Sequence, residues 1–213
     1  MIHLQNIRKT FNDKLVLDIP DWHIEKGIYW IQGANGAGKS TLFRIIAGML
    51  GYEGQVMIGN EYDQHKHPLE YRRRVTLAEA EPVYPSFLTP RNLISFIAET
   101  RQASAAQADT LIHKMGIHTF LDHPFSTCSS GMVKKVSLLL AFLGNPSLII
   151  LDEPLITIDK ETRQLLYELM MERSKNGTGF LLSSHQLFDR QEIQVKASYE
   201  IKNHTLNEIQ TAW

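Results

Sequence analysis

Eight consecutive residues, Gly33-Ala34-Asn35-Gly36-Ala37-Gly38-Lys39-Ser40, fit the spacing G-x-x-x-x-G-K-[ST], and Thr41 follows them. This motif carries meaning only between a strand and a helix, and the flanking sequence supplies both. Before it runs the short apolar segment Ile28-Tyr29-Trp30-Ile31. After it, Leu42, Ile45, Ile46, Met49 and Leu50 recur at helical spacing, predicting a helix that begins near Lys39 and stops at Gly51. Glycines let backbone N–H groups turn inward without a Cβ in the way, and the helix N-terminus adds its positive dipole end. Such a loop is built to cradle a phosphate chain, with Lys39 reaching the outer phosphates and the Ser40 hydroxyl available to Mg²⁺.

A second feature points to the same chemistry. Leu148-Ile149-Ile150-Leu151 reads as a buried strand and ends in Asp152-Glu153-Pro154. A strand ending in two carboxylates delivers them to the carboxyl edge of a parallel sheet, where ligands of such folds sit. Asp152 is then a candidate to hold the metal, and Glu153 to polarise an attacking water. The next apolar run, Phe180-Leu181-Leu182, leads to His185, a candidate γ-phosphate contact at the same edge.

Around these motifs, strand and helix signals alternate, which predicts an α/β fold with a parallel sheet. Leu15, Leu17 and Ile19 alternate with Val16 and Asp18, so the first thirty residues read as strands. The middle third is helical. Thr89-Pro90 is an N-cap with proline in the first turn, Ser104 and Gln107 have capping-box spacing, and Met132, Val136, Leu139, Leu140 and Leu143 share one face before Pro146. Residues 186–213 suffice for a helix and a strand or two.

Composition excludes several classes. The 213 residues carry 22 Lys+Arg against 23 Asp+Glu, a formal net charge of −1, so the chain lacks the basic field of a non-specific nucleic-acid binder. Its one cysteine, Cys128, excludes a disulfide framework and a Cys-rich metal site. The most apolar stretch, Val136 to Leu151, is broken by Gly144, Asn145 and Pro146, and Met1-Ile2-His3-Leu4 has no signal-peptide pattern. A cytoplasmic protein is expected. His65-Lys66-His67 reads as a solvated loop and Arg72-Arg73-Arg74 as a solvated edge.

The order of the phosphate loop, Ser129-Ser130-Gly131-Met132, Asn145-Pro146, the Asp152-Glu153 strand end and His185 resembles the nucleotide-binding subunit of ABC transporters, over roughly residues 2–209. The Ser-x-Gly-Met form is similar to that in the ATPases of ABC-2 type exporters. The resemblance implies a P-loop NTPase in a single domain over residues 1–213. It implies a RecA-like core, an N-terminal antiparallel β-subdomain and an inserted α-helical subdomain near residues 86–145. It also implies ATP and Mg²⁺ as ligands, ATP hydrolysis with Lys39, Glu153 and His185 in catalysis, and Ser40 and Asp152 at the metal. Residues 33–41 would hold the phosphates, Phe11 would stack on adenine, and Asp159 would stand in the family's D-loop, where Thr157 replaces a usual glycine.

In the family, the serine and second glycine of the signature, here Ser129 and Gly131, close over the nucleotide of an opposite subunit. Homodimer and heterodimer are both open. Where the family has a glutamine before the helical subdomain, this chain has Thr76-Leu77-Ala78-Glu79-Ala80-Glu81, and Glu79, Ala80 or Glu81 takes that position. The partner implied is a separate transmembrane permease, with this chain peripheral at the inner face of the membrane. A soluble ABC ATPase serving a non-membrane machine, such as iron–sulfur assembly, and a nucleotide-gated module with weak hydrolysis remain alternatives.

Overall fold

The computed structural model describes residues 1–59, 61–185, 188–189 and 192–210. The short apolar runs of the sequence assemble into one six-stranded sheet. In spatial order its strands are β10 (Thr205–Ile209), β9 (Ala197–Lys202), β3 (Ile28–Gln32), β8 (Gly179–Ser183), β7 (Leu148–Asp152) and β6 (Val75–Ala78), numbered in chain order. All but β10 run parallel, and β10 returns antiparallel beside β9. Every residue of β7 and β8 is buried. That explains why they read as continuous apolar runs rather than as alternating ones.

Successive side chains of a strand leave on opposite faces. Tyr29, Ile31, Leu148, Ile150 and Leu181 pack on one side, against α1 (Lys39–Ile46) and a second sheet. That sheet is wholly antiparallel, in the order β2 (Lys14–Ile24), β1 (Ile2–Phe11), β4 (Glu53–Ile58), β5 (Tyr62–Asp63). Its β1–β2 hairpin turns at Asn12 and Asp13, both at positive φ (47° and 63°), the conformation that tight hairpins demand and these residue types tolerate.

Trp30, Ile149, Leu151, Phe180 and Leu182 face the other way, into a core shared with the helical middle of the chain. There α3 (Pro90–Thr100) is capped by Thr89, α4 (Ala105–Lys114) by Ser104, and α5 (Ser130–Phe142) by Ser129. The shorter α2 (Pro68–Arg74) precedes β6, and α6 (Lys160–Lys175) links β7 to β8.

Two expectations change. The helix after the glycine loop ends at Ile46, not at Gly51, because Gly48 turns the chain at φ 73° and leaves Met49 59% exposed. At Ser104 only half of the capping box forms. Its Oγ accepts from the Gln107 backbone N–H at 3.1 Å, while the Gln107 amide brackets Gly144 through both the N–H and the C=O. Arg72–Arg74 form the last turn of α2, with Arg72 and Arg73 exposed and Arg74 half-buried, in keeping with a solvated edge. Beyond His185, the described residues hold β9 and β10 and no helix. The rest of that expectation lies outside the described residues. Among the described residues, no helix is long and apolar enough to cross a membrane.

Candidate functional site

Strands β3, β7 and β8 are parallel neighbours, so their carboxyl ends open at one edge. From β3 the chain enters the glycine loop, where Gly36 and Gly38 take φ of 79° and 109°, values open to glycine and costly for other residues. A Cβ on Gly38 would also stand 3.1 Å from Leu17, so β2 backs the loop directly. Inside the loop the Ala37 N–H donates to the Ala34 carbonyl at 3.1 Å. The Lys39 ammonium folds over the loop and donates to the carbonyls of Gly33 (2.7 Å) and Ala34 (3.2 Å).

One residue further, Ser40 Oγ donates to Asp152 Oδ2 at 2.6 Å, and Ser183 Oγ donates to Asp152 Oδ1 at 2.5 Å. Hydroxyls from α1 and β8 therefore orient both oxygens of the carboxylate that ends β7. Glu153 then sits at φ 45°, a left-handed conformation that bends the chain out of the strand. Its N–H donates to the Ser183 carbonyl and to Ser183 Oγ (3.2 and 3.1 Å). Glu153 Oε2 accepts from the backbone N–H of His185 at 3.1 Å. Its Oε1 is buried without a hydrogen-bond partner among the described residues, 3.6 Å from His185 Nε2.

These groups share a cavity of about 240 Å³. It is lined by Asn35, Gly36, Gly38, Lys39, Ser40 and Thr41 of the loop and helix start, together with Ala80, Asp152, Glu153 and His185. Of the three residues that the sequence leaves open at the junction, one lines this cavity. Glu79 turns aside to accept from Arg44 Nε at 2.6 Å, Glu81 is exposed, and Ala80 meets the cavity without a polar side chain.

A buried lysine in this neighbourhood escaped the sequence reading. Lys134 on α5 is 1% exposed, and its ammonium donates to three backbone carbonyls: Glu79 (2.7 Å), Ala80 (3.1 Å) and Asp152 (3.0 Å). Burial pushes its pKa down to about 8, and the negative charges of Asp152, Glu153 and Glu79 work against that fall. The one signal in the sequence was that α5 is apolar from Val136 onward except at Ser137, close to the pattern of an enclosed helix.

Ser129, Gly131 and Asp159 lie elsewhere. With Met132, Lys135 and Thr157 they line a second cavity of about 530 Å³. Ser129 Oγ accepts from the Met132 N–H at 3.3 Å, which caps α5 and leaves the hydroxyl proton to donate. A Cβ on Gly131 would stand 2.8 Å from the Thr157 carbonyl, so only glycine lets this helix end pack there. Asp159 caps α6 by accepting from the Thr162 N–H at 2.7 Å, and it pairs with Lys135 at the same distance. The hydrogen bond from Lys135, with the Thr162 N–H, holds its carboxyl well below the usual range.

Phe11 joins neither cavity. It stands 45% exposed at the β1–β2 turn, with the Lys9 ammonium 4.7 Å from its ring centre. An aromatic this exposed is not part of the core.

The donor set at Ser40 and Asp152 suits Mg²⁺. Among the described residues no three His, Cys, Asp or Glu side chains are grouped to enclose a metal. A hydroxyl and a carboxylate in hydrogen-bond contact form an open-sided pair of hard oxygens. Mg²⁺ prefers such a site, completing its shell with water and phosphate oxygens.

Comparison with known proteins agrees with this geometry. The lantibiotic transport ATP-binding protein SrtF of Streptococcus pyogenes is 27% identical over 190 residues, covering 88% of this chain and 81% of SrtF. A solved ATP-binding subunit of an ABC transporter superposes with a TM-score of 0.87 at 26% identity, covering 99% of this chain and 90% of the other. A dimeric ATP-binding cassette in a post-hydrolysis state, bound to ADP and Pi, shares the fold with a TM-score of 0.82 at 20% identity and full coverage of both chains. The ABC transporter family model matches residues 17–156, more than half of the sequence, and on that match the chain belongs to the ABC transporter family, as one of its ATPase cassettes.

Proposed function

We propose that the chain hydrolyses ATP as the nucleotide-binding subunit of a transporter and drives a separate transmembrane permease, at whose cytoplasmic face it would sit. The convergence of Lys39, Ser40, Asp152, Glu153 and His185 on one cavity carries this reading. Hydrolysis transfers the γ-phosphoryl group to water. A bond forms from water oxygen to phosphorus, the bond to the ADP oxygen breaks, and the water loses a proton. Glu153 Oε1, which has no hydrogen-bond partner among the described residues, is the base that takes it. The N–H groups of the glycine loop and the Lys39 ammonium bind the phosphate oxygens, and His185 steadies the γ-phosphate. Ser40 and Asp152 would hold Mg²⁺, which offsets charge on the phosphates when bound.

The second cavity supports a head-to-tail pair. Ser129 and the N-terminus of α5 would close over the nucleotide on a second copy or a related chain, while Phe11 would stack on the base. The helical insertion near residues 86–145 would face the permease. An open groove of about 580 Å³, lined by Met49, Leu77, Tyr84, Leu93 and Ile97, supports that docking, with Phe96 61% exposed on the same helix α3. The test is affinity capture of the tagged chain from detergent-solubilised native membranes, with Mg²⁺-dependent ATP hydrolysis measured on the captured material. Recovery of a polytopic membrane protein with ATPase activity is expected. Soluble partners alone would overturn the transporter reading and leave a soluble ABC ATPase.

A further inference from the structure

We propose that Lys134 is a positioning residue of the ATPase site, tying the strand end that carries Asp152 and Glu153 to the 79–80 segment across the cavity. The inference rests on the ATPase reading above. Strands β6 and β7 are paired in parallel only as far as Ala78 and Leu151. Beyond that pair the ladder stops and the two chains part, one toward Ala80 and the other toward Glu153. The three carbonyls that accept from the Lys134 ammonium are those of Glu79, Ala80 and Asp152, the first residues past the break. An ammonium has three N–H donors and no acceptor, so all of its capacity goes to this bridge. Lysine is almost never fully buried without such pairing.

The segment it holds is pinned a second time, since the Glu79 carboxylate accepts from Arg44 on α1. Next to Glu79, and itself held through its carbonyl, Ala80 lines the cavity together with the glycine loop. With no polar side chain at 80, the placement of that lining depends on backbone held from behind. Lys134 also belongs to the helix whose first turn lines the second cavity. Adjacent residues on a helix point about 100° apart. Thus Lys134 reaches the carbonyl of Asp152 while Lys135 reaches the carboxylate of Asp159. A shift of α5 against either cavity is therefore carried to the other through a fully hydrogen-bonded side chain.

The test compares Lys134→Arg and Lys134→Gln with the wild-type full chain together with its captured partner. Steady-state ATPase kinetics, thermal melting and binding of a fluorescent ATP analogue without Mg²⁺ are measured. Arginine keeps the charge and donors but lengthens the bridge; glutamine keeps two donors and loses the charge. Expected are kcat values reduced at least fivefold for Lys134→Arg and at least twentyfold for Lys134→Gln. KM and the analogue's Kd stay within threefold. A purely structural lysine would lower the melting temperature and the folded fraction while leaving kcat per folded molecule unchanged, and that result overturns the proposal. Should Lys134→Gln fail to fold, Lys134→Arg decides alone, and a kcat within twofold of wild type rejects the positioning role. Absence of hydrolysis by the wild type would instead overturn the ATPase reading, and this inference with it.

Discussion

Replacing Glu153 by glutamine separates the base from everything else that this side chain does. The residue is buried, Oε2 accepts from the His185 N–H at 3.1 Å, and Oε1 has no hydrogen-bond partner among the described residues. Glutamine has the same shape, and its amide oxygen can still accept from His185, so the turn at Glu153 keeps its anchor. A volume-conserving swap that also removes a buried charge should change stability by less than about 1.5 kcal/mol. The lost element is the acceptor for the water's proton. General-base catalysis contributes about 10²–10⁴-fold, equal to about 2.7–5.5 kcal/mol of barrier at 1.36 kcal/mol per tenfold. Single-turnover hydrolysis of radiolabelled ATP should slow by that factor, while equilibrium binding of ATP stays within threefold. Turnover within threefold of wild type would remove Glu153 as the base. A tenfold loss of ATP affinity with little change in turnover would show that the carboxylate organises the His185 turn instead.

Lys39→Ala should abolish ATP retention, and Ser129→Arg should block closure over the opposite nucleotide. Mixing the two inactive variants one to one should restore about a quarter of wild-type turnover if sites are shared head-to-tail, and none if each chain completes its own. Asp159→Ala removes the cap of α6 and the Lys135 pair, at a cost of about 1–2 kcal/mol at neutral pH, the exposed pair adding little. Because its folded-state pKa is depressed, this stabilisation is complete above the ordinary carboxylate range and is lost as pH falls toward the folded value. The melting-temperature gap between wild type and variant should therefore narrow in acid, and a constant gap would refute the charge contribution. Thr157 is β-branched at φ 65°. Thr157→Gly should relieve about 1–2 kcal/mol of left-handed strain against about 0.5–1 lost to chain entropy, raising the melting temperature by about 1–3 °C.

The residues that were legible in the sequence are those whose chemistry is local. Gly33–Ser40 is one loop in one stretch of chain, and its glycines stand at the left-handed positions that require them. Asp152 and Glu153 were legible because a short apolar run can only be a buried strand end in this context. Three consecutive residues, Glu79, Ala80 and Glu81, carry no periodicity, and the partner that occupies the Glu79 carboxylate, Arg44, lies 35 residues away on α1. Lys134 was hidden for the same reason. A lysine on a helix reads as solvated, and its partners lie 18, 54 and 55 residues distant. The end of α1 was misread because the apolar stripe continues through Met49 and Leu50, while Gly48 breaks the helix through a backbone angle that periodicity does not register.

The distribution of cations accounts for the two separate cavities. A bound nucleoside triphosphate would bring several negative charges to a wall that already holds Asp152 and Glu153. Of the cations on the neighbouring elements, Arg44 is committed to Glu79, Lys134 to three carbonyls and Lys135 to Asp159. Lys39, now turned onto its own loop carbonyls, is the lysine that lines the cavity. One ammonium, a helix end and loop N–H groups can seat the phosphates, and a metal at Ser40 and Asp152 would offset more. The outer face of the γ-phosphate would still lack donors. The N-terminus of α5 supplies such donors, with Gly131 drawn close to Thr157 and the Ser129 hydroxyl proton free to turn outward. It lies in the other cavity, at the end of a helix fixed by Lys134 to this one. Under the head-to-tail reading, a second chain would bring its own Ser129 and α5 N-terminus to this cavity, which the mixing of Lys39→Ala and Ser129→Arg tests.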